Sequence, residues 1–145
     1  MRLISVLFLL FIVLLACDKE RQTARIIEGD WNLVHMKATF QDGLSEYGTG
    51  SGTLSITKSD LESYQCKFVR QTDVEFPSLS YQDANSGYLN FKNKGKHIDS
   101  YLVDGTNSIS FQEEQRILML TKTDLQIEYL TVQGFFVTQT FKRKK

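Results

Sequence analysis

The chain is poor in the residues that carry most protein chemistry. Among 145 residues there are two cysteines (Cys17, Cys66), two histidines (His35, His97), one proline (Pro77) and one tryptophan (Trp31). Two cysteines cannot build a disulfide framework, and no Cys-x-x-Cys or His-x-x-x-His spacing exists to hold a metal. No Gly-x-Ser-x-Gly nucleophile elbow occurs, and no glycine-rich loop opens a helix to take phosphate. A single proline argues against long disordered segments. Excess charge of one sign is also lacking: 17 bases balance 17 acids, so no strong field recruits nucleic acid. No metal, cofactor or enzymatic constellation is therefore expected.

What is present begins with one base, Arg2, followed by residues 3–15, an apolar run broken only by Ser5. This is the length of a signal-peptide apolar region and too short to span a hydrocarbon core of ~30 Å as a helix. The run ends in Leu14-Leu15-Ala16-Cys17, which resembles the lipobox of bacterial lipoproteins. The alternatives are an ordinary secretory signal followed by a chance cysteine, or a short N-terminal membrane helix. The resemblance implies cleavage before Cys17, a diacylglycerol thioether on its sulfur and a further palmitate-type chain on the freed amine. Two or three chains make such an anchor effectively permanent. Residues 1–16 would then be the removed signal peptide, 17–27 the lipidated cysteine and its tether, and 28–145 the folded domain.

The tether reading rests on residues 18–23, which are charged and show no apolar periodicity. Lys19-Glu20 also resembles the sorting signal that carries some Gram-negative lipoproteins to the cell surface. The expected location is the bacterial cell envelope, at the outer membrane, with the periplasmic face and the surface both open.

Taking residues 1–16 from the 145 leaves 129, enough for one domain. Only Arg2 leaves the charge count, so 16 bases face 17 acids, about −1. The run Lys142-Arg143-Lys144-Lys145 is the one basic cluster. Its ordinary reading is the solvated end of the last element; the sharper one is contact with a membrane or polyanion. With Cys17 lipidated, Cys66 has no intramolecular partner and reads as a small buried hydrophobe.

From residue 28 onward, alternation of apolar and polar residues replaces any helical period. Strands are expected over 30–40, 53–58, 61–73, 88–93, 97–103, 108–112, 116–121, 125–132 and 135–142. Loose loops are expected over 41–51, marked by Gly48, Gly50 and the adjoining Gly52, and over 74–87, with Pro77. Asp104-Gly105 is a strong hairpin signal, and Glu113-Glu114-Gln115 reads as a break. Turn signals about every ten residues predict an all-β, antiparallel up-and-down meander of about eight or nine strands. Closure into a barrel avoids two exposed sheet edges, and a sandwich is the alternative. An eight-stranded barrel is just wide enough to be filled by side chains or to hold one small ligand.

Gly29-Asp30-Trp31 matches the Gly-x-Trp that opens the first strand of lipocalins. The segments Ile117-Leu118-Met119-Leu120-Thr121, Leu125-Gln126-Ile127 and Phe141-Lys142-Arg143 resemble bacterial lipocalin-like lipoproteins, which often carry a lipobox. The resemblance spans nearly the whole chain after Cys17. It implies a lipocalin-like barrel in which Gly29 and Trp31 lie at the closed end and Arg143 stacks on the indole, a contact worth ~1 kcal/mol or more. Lys142, Lys144 and Lys145 are rival cations.

The candidate cavity lining is Leu33, His35, Tyr64, Tyr88, Tyr101 and Phe111. His35 is in phase with Trp31 and Leu33 and points inward if no bulge intervenes. Phe135 and Phe136 compete for the inner face. His97, Asp99 and Tyr101 share a strand face; the plain reading is an outward polar face, the sharper one an oriented imidazole. Two functions follow. One is a non-enzymatic, lipid-anchored protein binding a small apolar or amphipathic molecule. The other is a packed barrel whose segments 41–51 and 74–87 contact another envelope protein or a glycan.

Overall fold

Which face of each strand turns inward is decided by the alternation of its side chains. In the computed structural model, which describes residues 18–59 and 65–145, a helix α1 (Asp18–Ile27) precedes eight strands. They are β1 (Gly29–Thr39), β2 (Ser45–Lys58), β3 (Gln65–Glu75), β4 (Ser80–Lys92), β5 (His97–Val103), β6 (Ile109–Leu120), β7 (Asp124–Leu130) and β8 (Phe136–Arg143). Each pairs antiparallel with the next, and β8 returns to β1, closing the barrel. Cys17, the signal segment 1–16 and Tyr64 lie outside the described residues.

The two expected loops are strands. Residues 45–51 continue β2, and residues 80–87 belong to β4, joined to β3 by the short turn 76–79 that holds Pro77. Gly48, Gly50 and Gly52 were misleading because they share the inner face with Leu54 and Ile56. There the chain needs an absent side chain rather than a loop. A Cβ on Gly50 would stand 2.1 Å from the Asp73 carbonyl oxygen, and one on Gly52 3.1 Å from Leu33 Cβ. Residues 113–115 are likewise no break but the middle of β6, with Gln115 buried.

The expected tether is also corrected. Residues 18–27 are helical, with Ala24 and Ile27 buried at 6% and 1% exposure. One turn of apolar contact is too little to show as a period, yet it seats the helix across one end of the barrel. Trp31 completes this closure: its indole N–H donates to the Ile27 carbonyl at 2.8 Å.

Two apolar clusters fill the interior. The lower one, at the helix end, gathers Trp31, Leu54, Ile56, Phe68, Phe91, Ile98, Leu125 and Phe141. The upper one holds Met36, Val74, Phe76, Tyr129, Phe135 and Val137. Each large side chain so buried contributes about 1.5–3 kcal/mol from the apolar area removed from water. Phe135 takes the inner side, and Phe136, 48% exposed, the outer.

Candidate functional site

At the closed end the structure brings Gly29, Trp31 and Arg143 together. The Arg143 guanidinium lies 4.2 Å from the indole centroid. It donates to the carbonyls of Lys122 (2.6 Å), Glu28 (2.5 Å) and Ile26. Gly29 has φ +134°, and a Cβ there would stand 2.3 Å from Arg143 Nη1. Arg143 faces inward over the ring because register with β1 sets it opposite Trp31. Lysine in its place has no planar fork to satisfy several carbonyls at once.

The predicted lining residues do not converge. Leu33 is inside and bridges the two apolar clusters. His35 is outside: β1 bulges against β8 between Leu33 and His35, so Val34 and His35 both face out before Met36 returns inward. A bulge adds a residue and flips the phase beyond it. His35 instead stacks on Tyr47 at 5.1 Å. Phe111 is turned out by the same device, since β5 and β6 shift register between Ser100 and Tyr101. Tyr101 and Phe111 meet edge-on at 5.7 Å on the outer face. Tyr88 pairs with Tyr101 there, because Gly87, Leu89 and Phe91 take the inner positions of β4. His97, Asp99 and Tyr101 share this outer face: His97 Nδ1 lies 2.7 Å from Glu114 and Asp99 2.8 Å from Lys92. The contacts with His97 and Lys92 hold the Glu114 carboxyl below its usual range.

Between the apolar clusters lies a layer that the sequence reading missed. Arg70, 2% exposed, meets Asp83 at 2.5 Å and Glu113 at 3.3 Å, and its guanidinium stands 5.4 Å from the Tyr129 ring. Gln115 donates to Glu113 at 2.8 Å, and the Tyr81 and Tyr129 hydroxyls are 2.9 Å apart. Burial opposes the charge on Arg70, but Tyr129, Asp83 and Glu113 around it outweigh that and keep it protonated. Burial raises Glu113 against the pull of Arg70, and raises Tyr81 and Tyr129 as well. Arg70 is in phase with Cys66 and Phe68, so its inward direction was legible. Asp83 and Glu113 were hidden in segments read as a loop and a break.

These side chains meet across the axis. In the lower half the space enclosed by Ile27, Leu54, Phe68, Arg70, Gln115 and Ile127 is about 10 Å³, room for no more than a water. Open volume lies elsewhere. Across β1–β4 a groove of about 710 Å³ is lined by Asn32, Ser51, Thr53, Gln71, Asp73 and Gln82 of the outer face and reaches Leu33, Thr72 and Asp83 at inner positions, over the bare backbone of Gly50 and Gly52. Gln82 donates to Asp73 at 3.2 Å, which orients both groups. At the open end a second recess, about 360 Å³, lies between the turn 76–79 and the turn 131–135, against Leu79, Tyr81 and Phe135. Among the described residues no cluster of three or more His, Cys, Asp or Glu side chains is placed to hold a metal.

No protein-family model matches the chain, and no curated protein matches it. Solved structures do. A redesigned β-barrel aligns over 85% of this chain and 96% of its own at 15% identity, TM-score 0.53. The redesigned barrel mFAP1, solved bound to DFHBI, aligns over 83% and 98% at 15% identity, TM-score 0.50. An S-type phycobiliprotein lyase of Guillardia theta aligns over 86% and 92% at 11% identity, TM-score 0.49. At such identities the likeness is one of fold. The described residues form an all-antiparallel, closed eight-stranded β-barrel with one short helix across its lower end.

Proposed function

We propose that the protein is a non-enzymatic, lipid-anchored, lipocalin-like barrel of the bacterial envelope that binds on its outer face rather than at its axis. The observation that carries this is the pairing of a filled axis with the 710 Å³ groove across β1–β4. The groove is built from parts of segments 41–51 and 74–87, now strands, to which the sequence already pointed for contact with a partner. Its lining is mainly hydroxyl and amide, with the carboxylates of Asp73 and Asp83 and the apolar side chains of Leu33 and Ala84, and no lysine or arginine. Amides and hydroxyls both donate and accept, which suits a ligand rich in hydroxyl groups and offers no pull to phosphate. A neutral glycan is therefore the ligand class. Screening the folded domain against neutral oligosaccharides tests it. Binding should be abolished by Ser51→Lys with Gln71→Lys, two exposed positions that leave the core alone. No binding across the panel, or binding indifferent to the two lysines, sinks the proposal.

A second reading has its own observation. The recess at the open end presents Leu79, Tyr81 and Phe135 and fits a small apolar or amphipathic molecule. A ligand displaced by Leu79→Trp but not by the groove variant would establish it. The anchor is a separate matter. Cys17→Ser should move the protein from the membrane fraction to the soluble one after a high-salt wash; unchanged fractionation would exclude lipidation.

A further inference from the structure

A net charge near zero conceals a division between the two ends of the barrel. The open-end turns, residues 40–44, 76–79, 104–108 and 131–135, contain no lysine or arginine, and Asp42 and Asp104 lie exposed in them. The closed end is where the bases gather, among a smaller number of acids. Lys94 and Lys96 on the β4–β5 turn, Lys122 on the β6–β7 turn, and Lys144 and Lys145 after β8 are all exposed. Beside them Arg21 and Arg25 of α1 converge with Lys58 around a crevice of about 100 Å³, where Glu28 is the one acid.

These cations are uncommitted. Among the described residues, none of Arg21, Arg25, Lys58, Lys94 and Lys96 has an ion-pair partner. Several acids of the same end are occupied: Glu20 accepts from the Lys94 N–H at 3.3 Å, Asp30 from the Ser55 hydroxyl at 2.6 Å, and Asp99 is paired with Lys92. Asp60 and Glu62 lie outside the described residues. Their placement is set by the seat of α1, whose Ala24 and Ile27 are buried and whose Glu20 accepts from the β4–β5 turn. Residues 1–17 join the folded part at this same end, at Asp18.

We propose that the closed end is a bilayer-facing surface that takes the phosphate headgroups of anionic phospholipids, with Arg21, Arg25 and Lys58 as its centre. Cations on one face act together on a charged surface within a Debye length of about 10 Å, and several of them sum to binding that salt removes. The inference deepens the anchored reading, but it stands on the charge of the folded part alone, so its test omits residue 17.

Residues 18–145 contain every pairing partner of the barrel, between Gly29 and Arg143, together with the helix that closes it. This piece is sedimented with vesicles of phosphatidylcholine alone and of phosphatidylcholine and phosphatidylglycerol in equal parts. Binding to the anionic vesicles only, lost at high salt, is the expected result. Arg21→Glu, Arg25→Glu and Lys58→Glu together should weaken it about tenfold or more. A second variant, Lys144→Glu with Lys145→Glu, should weaken it to a smaller degree. Both variants should melt near the wild-type temperature, since the altered side chains are exposed. Absence of binding to the anionic vesicles overturns the proposal, as does binding that neither variant changes. Tighter binding to duplex DNA than to vesicles at the same ionic strength would also overturn it, in favour of a nucleic-acid surface.

Discussion

Arg70 on β3 and Asp83 on β4 meet inside the barrel, Nε to Oδ2 at 2.5 Å, with side chains only 2% and 8% exposed. Glu113 reaches the same guanidinium from β6 on the far wall. One cation thus links two carboxylates across the axis, and the barrel is plugged by charge at the level where a cavity would lie.

Removing the cation alone should be severe. Arg70→Met leaves two buried carboxyl groups without their counter-charge, and breaking such a pair costs about 3–5 kcal/mol. Urea unfolding of the variant measures the loss. Arg70→Met combined with Asp83→Asn and Glu113→Gln should recover most of it, because no uncompensated charge remains. A triple variant as unstable as the single one would mean that shape rather than charge holds the layer.

Stability should depend on pH through Glu113. Burial raises its carboxyl above the ordinary value of 4.5, so the folded state holds this proton more tightly than the unfolded chain. Its contribution is therefore complete below 4.5 and is lost as pH rises through the raised value. Glu113→Gln removes that titration. Unfolding free energies of wild type and variant, compared at a series of pH values upward from 4.5, should show the wild type alone declining from this cause.

The closed end can be read by fluorescence, since Trp31 is the only tryptophan. Arg143→Ala loses three carbonyl contacts and the ring contact, and should cost about 2 kcal/mol given ~1 kcal/mol or more for the ring and a similar amount for the charged hydrogen bonds. Its emission should shift to the red as water reaches the indole. Arg143→Lys should restore less than half of the stability, because an ammonium cannot span carbonyls from three residues. Full rescue by lysine would assign the effect to charge alone.

Cys66 should be inert in the folded domain. It is 1% exposed, and burial, with Glu28 adding to it, pushes its thiol up to about 11. An aromatic disulfide reagent at pH 8 should label residues 18–145 only as fast as the domain opens, and at full speed in urea. Rapid labelling of the native domain would contradict the seat of α1 above this side chain, where Ala24 belongs to the same cluster.

Much of the fold was legible because closure demands inward alternation, and β3 carries it without a break from Cys66 to Val74. Where alternation fails to report, the reasons are local. Gly48, Gly50 and Gly52 look like a loop because glycine leaves no apolar mark, although each occupies an inward position of β2. Val34 and Gln112 are single extra residues that reverse the facing of His35 and Phe111, and nothing in composition signals a bulge. The acids Asp83 and Glu113 were read as part of a loop and of a break because a buried carboxylate makes sense only once Arg70 is seen opposite. The groove was invisible for a different reason: it is a property of how four strands bend around two glycines, not of any motif.

The Arg70 layer also divides the molecule's cohesion. Apolar contact below it is anchored by α1 and Arg143, while the collar above depends on Met36, Val74, Phe76, Phe135 and Val137, with Leu33 the side chain common to both clusters. A sheet closed in a ring normally yields as one unit, but a core cut by a polar layer supplies a seam. The upper collar can therefore loosen while the lower cup persists, and amide hydrogen exchange should resolve two tiers of protection with Arg70 at their boundary. That loosening would deepen the open-end recess towards the Arg70 layer and so enlarge the space for a guest.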